Sequence, residues 1–478
     1  MDSGHGQRRG NRSNEQSYVP ISLRSPRGAS ARYLALMDRE QEPAQNGDNV
    51  YGNLLVLALL ALFVGVVVGS LGAIFRLVLQ RADSLRDTFI AWAHGEAFAG
   101  FLFVIVVCAA ATAVAAWLVR RYSPHASGSG IPHVELVLSG ELPPAPYRLI
   151  PVKFFGGLLA IGSGLALGRE GPSVQMGASV ADLLARLFHC GEEDCRACLA
   201  AGAGAGLATA FNAPIAGGIF VLEELVRRFD TRITIATLGA SAGAIAVARL
   251  FLGDTPDFHV EELPYPSFST LPIHLLLGIL AGFVGVAYNR TLLGTLASLD
   301  KLRRCPVELR AALIGAALGT LAWFAPGLVG GGDQITQRTL SGTDTIAAIS
   351  VVFLIRFGLG AVSYSALTPG GLFAPMLVLG AQLGFLYGTV CSYWFPAAVP
   401  NPTSLAVVGM ASFFTAVVRA PMTGIVLIIE MTSSFKMFLP MLAGCFAAMT
   451  VPTLLRDAPI YDSLRSRRRA KAQMEQRK

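Results

Sequence analysis

Formal charge is scarce in this sequence. Only 38 Lys and Arg and 31 Asp and Glu occur among 478 residues, 14% of the chain, where soluble globular proteins run near one quarter. With 53% of the residues hydrophobic, one soluble core cannot hide this chain, because the exterior left over would still have to be wetted. Cysteine is also sparse: seven residues, an odd and small number, exclude a disulfide-built secreted scaffold. No P-loop, zinc-protease motif or dinucleotide fingerprint is present, so an enzymatic reading has no residue set behind it. These absences leave an all-α, polytopic membrane protein.

The apolar residues fall in long runs. Leu54 to Phe75 and Phe98 to Leu118 carry no formal charge, and each is long enough to cross roughly 30 Å of hydrocarbon. Phe154 to Ala181 contains only Arg169 and Glu170, and Phe357 to Val418 holds no charge across 62 positions. A stretch of that length is several passes, with breaks expected at Pro369, Gly370, Gly371, Pro375, Pro396, Pro400 and Pro402. The 51 glycines and 26 prolines point to interrupted helices, and broken helices inside a membrane line a site.

The net charge of +7 gathers at the ends, in Arg8, Arg9 and Arg12 and in Arg465, Arg467, Arg468, Arg469, Lys471 and Lys478. Such runs read as positive-inside anchors rather than a nucleic-acid surface, and they put both termini in the cytoplasm. Residues 1–50 are then a polar N-terminal tail, too polar for a signal peptide, and 463–478 a basic C-terminal tail.

Between the tails the chain repeats itself. AFNAPIAGGIFVLEEL from Ala210 resembles VVRAPMTGIVLIIEMT from Val417, and PSVQMGA from Pro172 resembles PMLVLGA from Pro375. The offsets, 207 and 203 residues, nearly agree. Two related halves follow, 51–253 and 271–462, joined by a loop over 254–270, and paired halves of this kind enclose a substrate site between them.

Three strings sit where the helices should break: GSGIP at Gly128, GREGP at Gly168 and GGLFAP at Gly370. Gly and Pro ahead of an apolar helix expose unpaired N–H groups at its positive end, which inside a membrane is an anion site. Ser129 could donate its hydroxyl to an anion or cap its helix. The amides of Leu372 and Phe373 would carry the third site, while the Phe373 ring either turns an edge to the anion or packs. Glu170 is the first functional candidate, since a carboxylate at membrane depth needs a purpose or a partner. Ionised, it could occupy the anion position and, protonated, leave it; the alternative is a permanent pair with Arg169. Glu223 and Glu224, followed by Arg227 and Arg228, read equally as a helix-end salt-bridge cluster or a proton entry. Glu430 in the second half has the same two readings, with structural pairing favoured.

Together with the late tyrosine in APIYDSL, these strings resemble the CLC family of chloride channels and proton/chloride exchangers. PVKFFGG, FNAP and IRFGLGAVSYSALTPGGLFAP are similar to the bacterial exchanger branch. The resemblance, over roughly Tyr51 to Ser466, implies an inverted repeat of tilted and broken helices. It further implies a homodimer in the cell inner membrane with one anion path per subunit. On this likeness Ser129 and Tyr461 hold chloride with the amides of Leu372 and Phe373. Glu170 is the external gate, and Glu224 is the internal proton-transfer residue found in exchangers. The expected function is proton-coupled chloride antiport, with chloride and protons as partners and no cofactor; the alternative is a passive, voltage-driven chloride channel. His133 departs from the family pattern, in which a glutamate follows GSGIP. Cys190, Cys195 and Cys198 beside His189 are spaced poorly for zinc and read as reduced loop thiols, so no metal is expected.

Overall fold

The computed structural model describes residues 47–302 and 305–476; the polar N-terminal tail assigned to 1–50 lies almost wholly outside them. Seventeen α-helices occur among the described residues: α1 (Gly47–Ala93), α2 (Ala97–Tyr122), α3 (Ile131–Leu138), α4 (Leu149–Gly162), α5 (Glu170–Leu187), α6 (Glu192–Phe211), α7 (Pro214–Phe220), α8 (Thr231–Leu252), α9 (Leu271–Lys301), α10 (Val307–Phe324), α11 (Asp333–Leu340), α12 (Ile346–Tyr364), α13 (Phe373–Trp394), α14 (Thr403–Val418), α15 (Pro421–Thr432), α16 (Phe438–Leu454) and α17 (Ile460–Gln476). Seven segments are long and apolar enough to cross a membrane, and α4, α14 and α15 are shorter apolar helices. The chain is a multi-pass, all-α membrane protein.

The first helix is longer than its uncharged span predicts. It runs past Phe75 to Ala93, because the charges beyond the apolar run find partners: Arg76 pairs with Asp257 at 2.5 Å, and Arg86 with Asp83 at 2.6 Å and with Asp87 at 3.0 Å. The uncharged stretch from Phe357 resolves into the end of α12, then α13 and α14, with breaks at the Pro369–Gly371 and Phe395–Pro402 regions as expected; Pro375 does not break the chain, because it sits in the first turn of α13, where no intrahelical N–H is needed.

The centre is built from helices buried on every side. In α6 every residue from Ala197 to Phe211 is buried, and in α14 every residue from Leu405 to Val418. Small residues permit this packing. A side chain on Gly177 of α5 would meet the Gly202 carbonyl of α6 at 2.2 Å, and one on Gly380 of α13 would meet the Gly409 carbonyl of α14 at 2.7 Å. The two helix pairs are thus built the same way in each half.

The correspondence extends to buried charge. The short helices α3 and α11 are each entered through a left-handed glycine, Gly130 (φ 89°) and Gly332 (φ 102°). Behind the first entry, the fully buried Lys153 donates to the Ala126 and Gly128 carbonyls at 3.0 and 2.7 Å. Behind the second, buried Arg356 donates to the Leu328 and Gly330 carbonyls at 3.1 and 2.8 Å and to that of Gly331 at 2.9 Å. Each cation satisfies carbonyls that no helix can use, at a depth where unmet polar groups are costly.

The two glutamate strings also serve each other. The Glu223 carboxylate accepts from the N–H groups of Met422 and Thr423 at the start of α15, at 3.0 and 2.7 Å. Glu430 accepts from Ile215 and Ala216 at the start of α7, at 3.0 and 2.8 Å. Each half caps a helix of the other, which is the structural pairing favoured for Glu430 from sequence.

The basic C-terminal segment folds as helix α17, which packs on α3. Arg465 and Arg469, one turn apart, both reach Glu141, and Arg467 pairs with Asp300. Arg468 donates to the Ser127 carbonyl at 2.5 Å. Hydrogen bonds from Arg469, Arg465 and Ser139 hold the Glu141 carboxyl down at about 2.

Two expectations follow. Lys153→Met or Arg356→Met orphans buried carbonyls, at about 1–3 kcal/mol per group, and lowers the thermal unfolding midpoint in detergent; midpoints equal to wild type would remove this role. For Glu141, a depressed carboxyl contributes docking that is complete above its ordinary value near ~4.3 and is lost as pH falls through about 2. The α17 segment therefore resists pepsin at pH 4 and yields near pH 2, whereas Glu141→Gln exposes it to trypsin at neutral pH. Equal trypsin cleavage of both proteins would contradict this.

Candidate functional site

The three glycine-rich strings meet at one point. The Gly128 N–H donates to the Thr368 carbonyl at 3.0 Å and the Gly370 N–H to the Gly128 carbonyl at 3.2 Å. Gly168 and Gly371 exchange both backbone bonds, at 3.0 and 2.7 Å. The segment leading into α13 is thereby stitched between the segments leading into α3 and α5. Side chains are excluded at the crossing: one on Gly171 would lie 2.6 Å from the Ser129 carbonyl oxygen, and one on Gly371 would lie 1.9 Å from the Glu170 carboxylate. Three helix N-termini, with their unpaired amides and positive dipole ends, converge there.

Glu170 opens α5 and is fully buried. Its Oε1 accepts from the Phe373 N–H at 2.7 Å, and Oε2 is buried without a hydrogen-bond partner. The carboxylate therefore lies on the amide end of α13, where a small anion would be stabilised. Arg169 is turned elsewhere. It donates to Asp333 at 2.7 Å, to Asp257 at 3.2 Å and to the Ala210 carbonyl at 2.9 Å, so a permanent pair with Glu170 is not formed. Asp257 also binds Arg76 at 2.5 Å, which ties its loop to α1 and to the start of α5. A cavity of about 80 Å³, lined by Asp83, Arg86, Gly168, Arg169 and Asp333 among others, opens on this face.

Ser129 lies against Gly171 at the crossing, and the Tyr461 ring lies 6.0 Å from that of Phe373. Both are fully buried, their hydroxyls neighbour each other, and neither has a hydrogen-bond partner. The Ser129 N–H donates to the Tyr364 hydroxyl at 3.3 Å, and Lys153 holds the preceding carbonyls. Two buried hydroxyl donors near helix N-termini have the chemistry of a cradle for an anion. Leu372 is the residue before the first turn of α13 and is buried. The Phe373 ring packs rather than standing free: Phe211, Phe220, Phe414 and Tyr461 surround it at centroid distances of 6.3, 5.6, 4.7 and 6.0 Å.

Glu224 is separate from this cradle. It belongs to a π-helical turn, Val221–Leu225, after α7. The turn sends Glu223 to the start of α15 while Glu224 is buried beside Arg227, whose guanidinium lies 3.4 Å from its carboxylate. Tyr461 lies within electrostatic range of both Glu170 and Glu224. A cleft of about 410 Å³, walled by Glu224, Arg227, Arg228, Arg419 and Asp462, gives access to this second carboxylate.

His133 is buried, with its ring 4.8 Å from that of His125. Cys190, Cys195 and Cys198 are free thiols, and no group of three potential metal ligands occurs among the described residues. Sequence reasoning did not single out Lys153, Arg356, Tyr364 or Asp257. Lys153 and Arg356 are lone charges in apolar runs, the same signal that marked Glu170. Asp257, in a polar loop, carried none.

The family model described as voltage gated chloride channel matches residues 111–453. The H(+)/Cl(-) exchange transporter ClcA of Cronobacter sakazakii is 36% identical over 428 residues, covering 88% of this chain and 91% of the relative. The protein of the same name from Vibrio cholerae is 36% identical over 413 residues, covering 85% and 88%. The crystal structure of a slow cyanobacterial Cl-/H+ antiporter superposes with a TM-score of 0.83 at 32% identity, over 87% of this chain and 98% of the other. A eukaryotic CLC transporter shares the fold with a TM-score of 0.74 at 23% identity, over 86% and 74%. With its CLC fold and this extent of similarity, the chain belongs to the voltage-gated chloride channel family.

Proposed function

We propose that this protein is a proton-coupled chloride antiporter, exchanging chloride and protons electrogenically in opposite directions. The observation that carries this reading is the Glu170 carboxylate seated on the Phe373 amide at 2.7 Å. A carboxylate in that seat competes with chloride when ionised. Once protonated it loses its charge-assisted bond, withdraws and leaves the amides to the anion. Proton uptake and anion entry are then one event at one place. The bacterial relatives named as H(+)/Cl(-) exchange transporters support the same reading.

In this mechanism Ser129 and Tyr461 bind chloride through their hydroxyls, and Leu372 and Phe373 through their amides. Glu170 is the external gate. Glu224 takes protons from the cytoplasmic cleft, and a second buried carboxylate of this kind favours exchange over a passive channel. The face carrying Arg169 is external and that carrying α17 cytoplasmic, with both termini inside and the protein in the inner membrane. The halves 51–253 and 271–462 form an inverted repeat, which accords with the reciprocal caps of Glu223 and Glu430. The working unit is a homodimer in the lipid bilayer, one path per subunit.

Reconstituted in sealed vesicles, the protein drives protons uphill on an imposed chloride gradient; chloride flux with no proton movement would replace this reading with the channel. Glu170→Gln moves chloride without coupled protons, and Glu224→Gln keeps chloride flux and loses proton flux. Preserved coupling in either variant would overturn that assignment. Tyr461→Phe removes a hydrogen bond to a charged group, at about 1.5–3 kcal/mol, so chloride binding measured by calorimetry weakens roughly tenfold or more. Unchanged binding removes Tyr461 from the site.

A further inference from the structure

The cleft side of Glu224 contains a charge arrangement that the exchange mechanism above does not use. Arg227 has a left-handed backbone, φ 57°, and folds back so that Nε donates to the Glu224 carbonyl at 3.1 Å. One of its terminal nitrogens is shared between two carboxylates, 2.7 Å from Asp462 and 3.4 Å from Glu224. The Glu224 side chain is 4% exposed and that of Arg227 41%, so the guanidinium is the more open partner of the two where both line the cleft. Asp462 directly follows Tyr461 on α17. A single cation therefore ties the turn bearing Glu224 to the helix bearing the chloride-cradle tyrosine.

Other charged groups face this arrangement. Glu223 is adjacent but committed to the start of α15. Glu135, on α3, is buried with both carboxylate oxygens unpartnered, and it lies within electrostatic range of Glu224, Arg227, Asp462 and Arg465. Arg465 is held by Glu141. Arg228 and Arg419 line the cleft, and Arg419 is directed to the Ala416 and Asp457 carbonyls. Arg227 and Asp462 are thus the pair in contact with Glu224 through one shared nitrogen.

Resting on the assignment of Glu224 as the inner proton carrier, we propose that Arg227 and Asp462 are positioning residues that set its proton affinity by dividing one cation between two carboxylates. The shorter bond to Asp462 absorbs most of the guanidinium charge. Glu224 keeps a weak partner, so burial still favours its protonated form, and it can load and release protons within one transport cycle. An Arg227 bound to Glu224 alone would hold the carboxylate ionised. Without Arg227 the buried carboxylate would hold its proton.

The test is the dependence of proton flux on cytoplasmic-side pH, in vesicles at a fixed chloride gradient, for wild type, Asp462→Asn, Arg227→Met and Arg227→Lys. Asp462→Asn releases the guanidinium to Glu224 and moves the midpoint to lower pH, by about one to three units. Arg227→Met moves it to higher pH, and Arg227→Lys, which keeps the charge, stays nearer wild type. Asp462→Asn is nearly isosteric and carries the test if Arg227→Met does not fold. An unmoved midpoint in Asp462→Asn, or shifts of both variants in one direction, overturns the proposal. Glu224→Gln in the same assay separates the two ideas. Loss of its proton flux with no shift in the other variants sinks the positioning role alone, and retained proton flux sinks the underlying assignment and this inference with it.

Discussion

A backbone amide at the start of a helix, held inside a membrane without a backbone partner, is the constraint on which this structure depends. The Phe373 N–H is such a group, and the Glu170 carboxylate meets it. Helix starts in water are capped by solvent; here they must find an anion or a side chain. Stitching three such starts together through Gly128, Gly168 and Gly371 makes the favourable charge local to the crossing. The positive character there comes from backbone amides, since Lys153 and Arg356 are spent on carbonyls.

The two halves solve the same local problem with different side chains. Lys153 and Arg356 each satisfy carbonyls upstream of a left-handed glycine, so the requirement is for buried donors rather than for one residue type. Glycine-mediated packing of α5 on α6 and of α13 on α14 follows the same plan. At the crossing the symmetry breaks: the first half contributes Ser129 and Glu170, the second contributes bare amides. In that asymmetry one half supplies the carboxylate and the other the amide that it meets.

Much of this was legible in the sequence, for reasons that can be named. Charge at membrane depth is costly enough that Glu170 and Glu224 stand out within their runs, and the Gly-Pro strings mark helix starts. The same signal was present for Lys153 and Arg356 but does not reveal that their targets are carbonyls. The run from Leu54 to Phe75 identified a span and not the end of α1, because charges that find partners, Asp257 for Arg76 and Asp83 for Arg86, do not stop a helix. Asp257 lay in a loop whose composition carried no periodicity, and its contact with Arg169 joins positions 88 residues apart.

The sequence by itself determined the membrane class, the repeated halves, the three strings and the two glutamates, because hydropathy, helix-breaking residues and isolated charge are local properties. Only the tertiary structure decided which partner each group meets. Glu170 reaches an amide 203 residues away, Glu223 and Glu430 cap helices about as distant, and Arg227 divides itself between Glu224 and an aspartate 235 residues on. Such pairings depend on how the halves pack, and adjacency along the chain, as between Arg169 and Glu170, does not make two side chains neighbours.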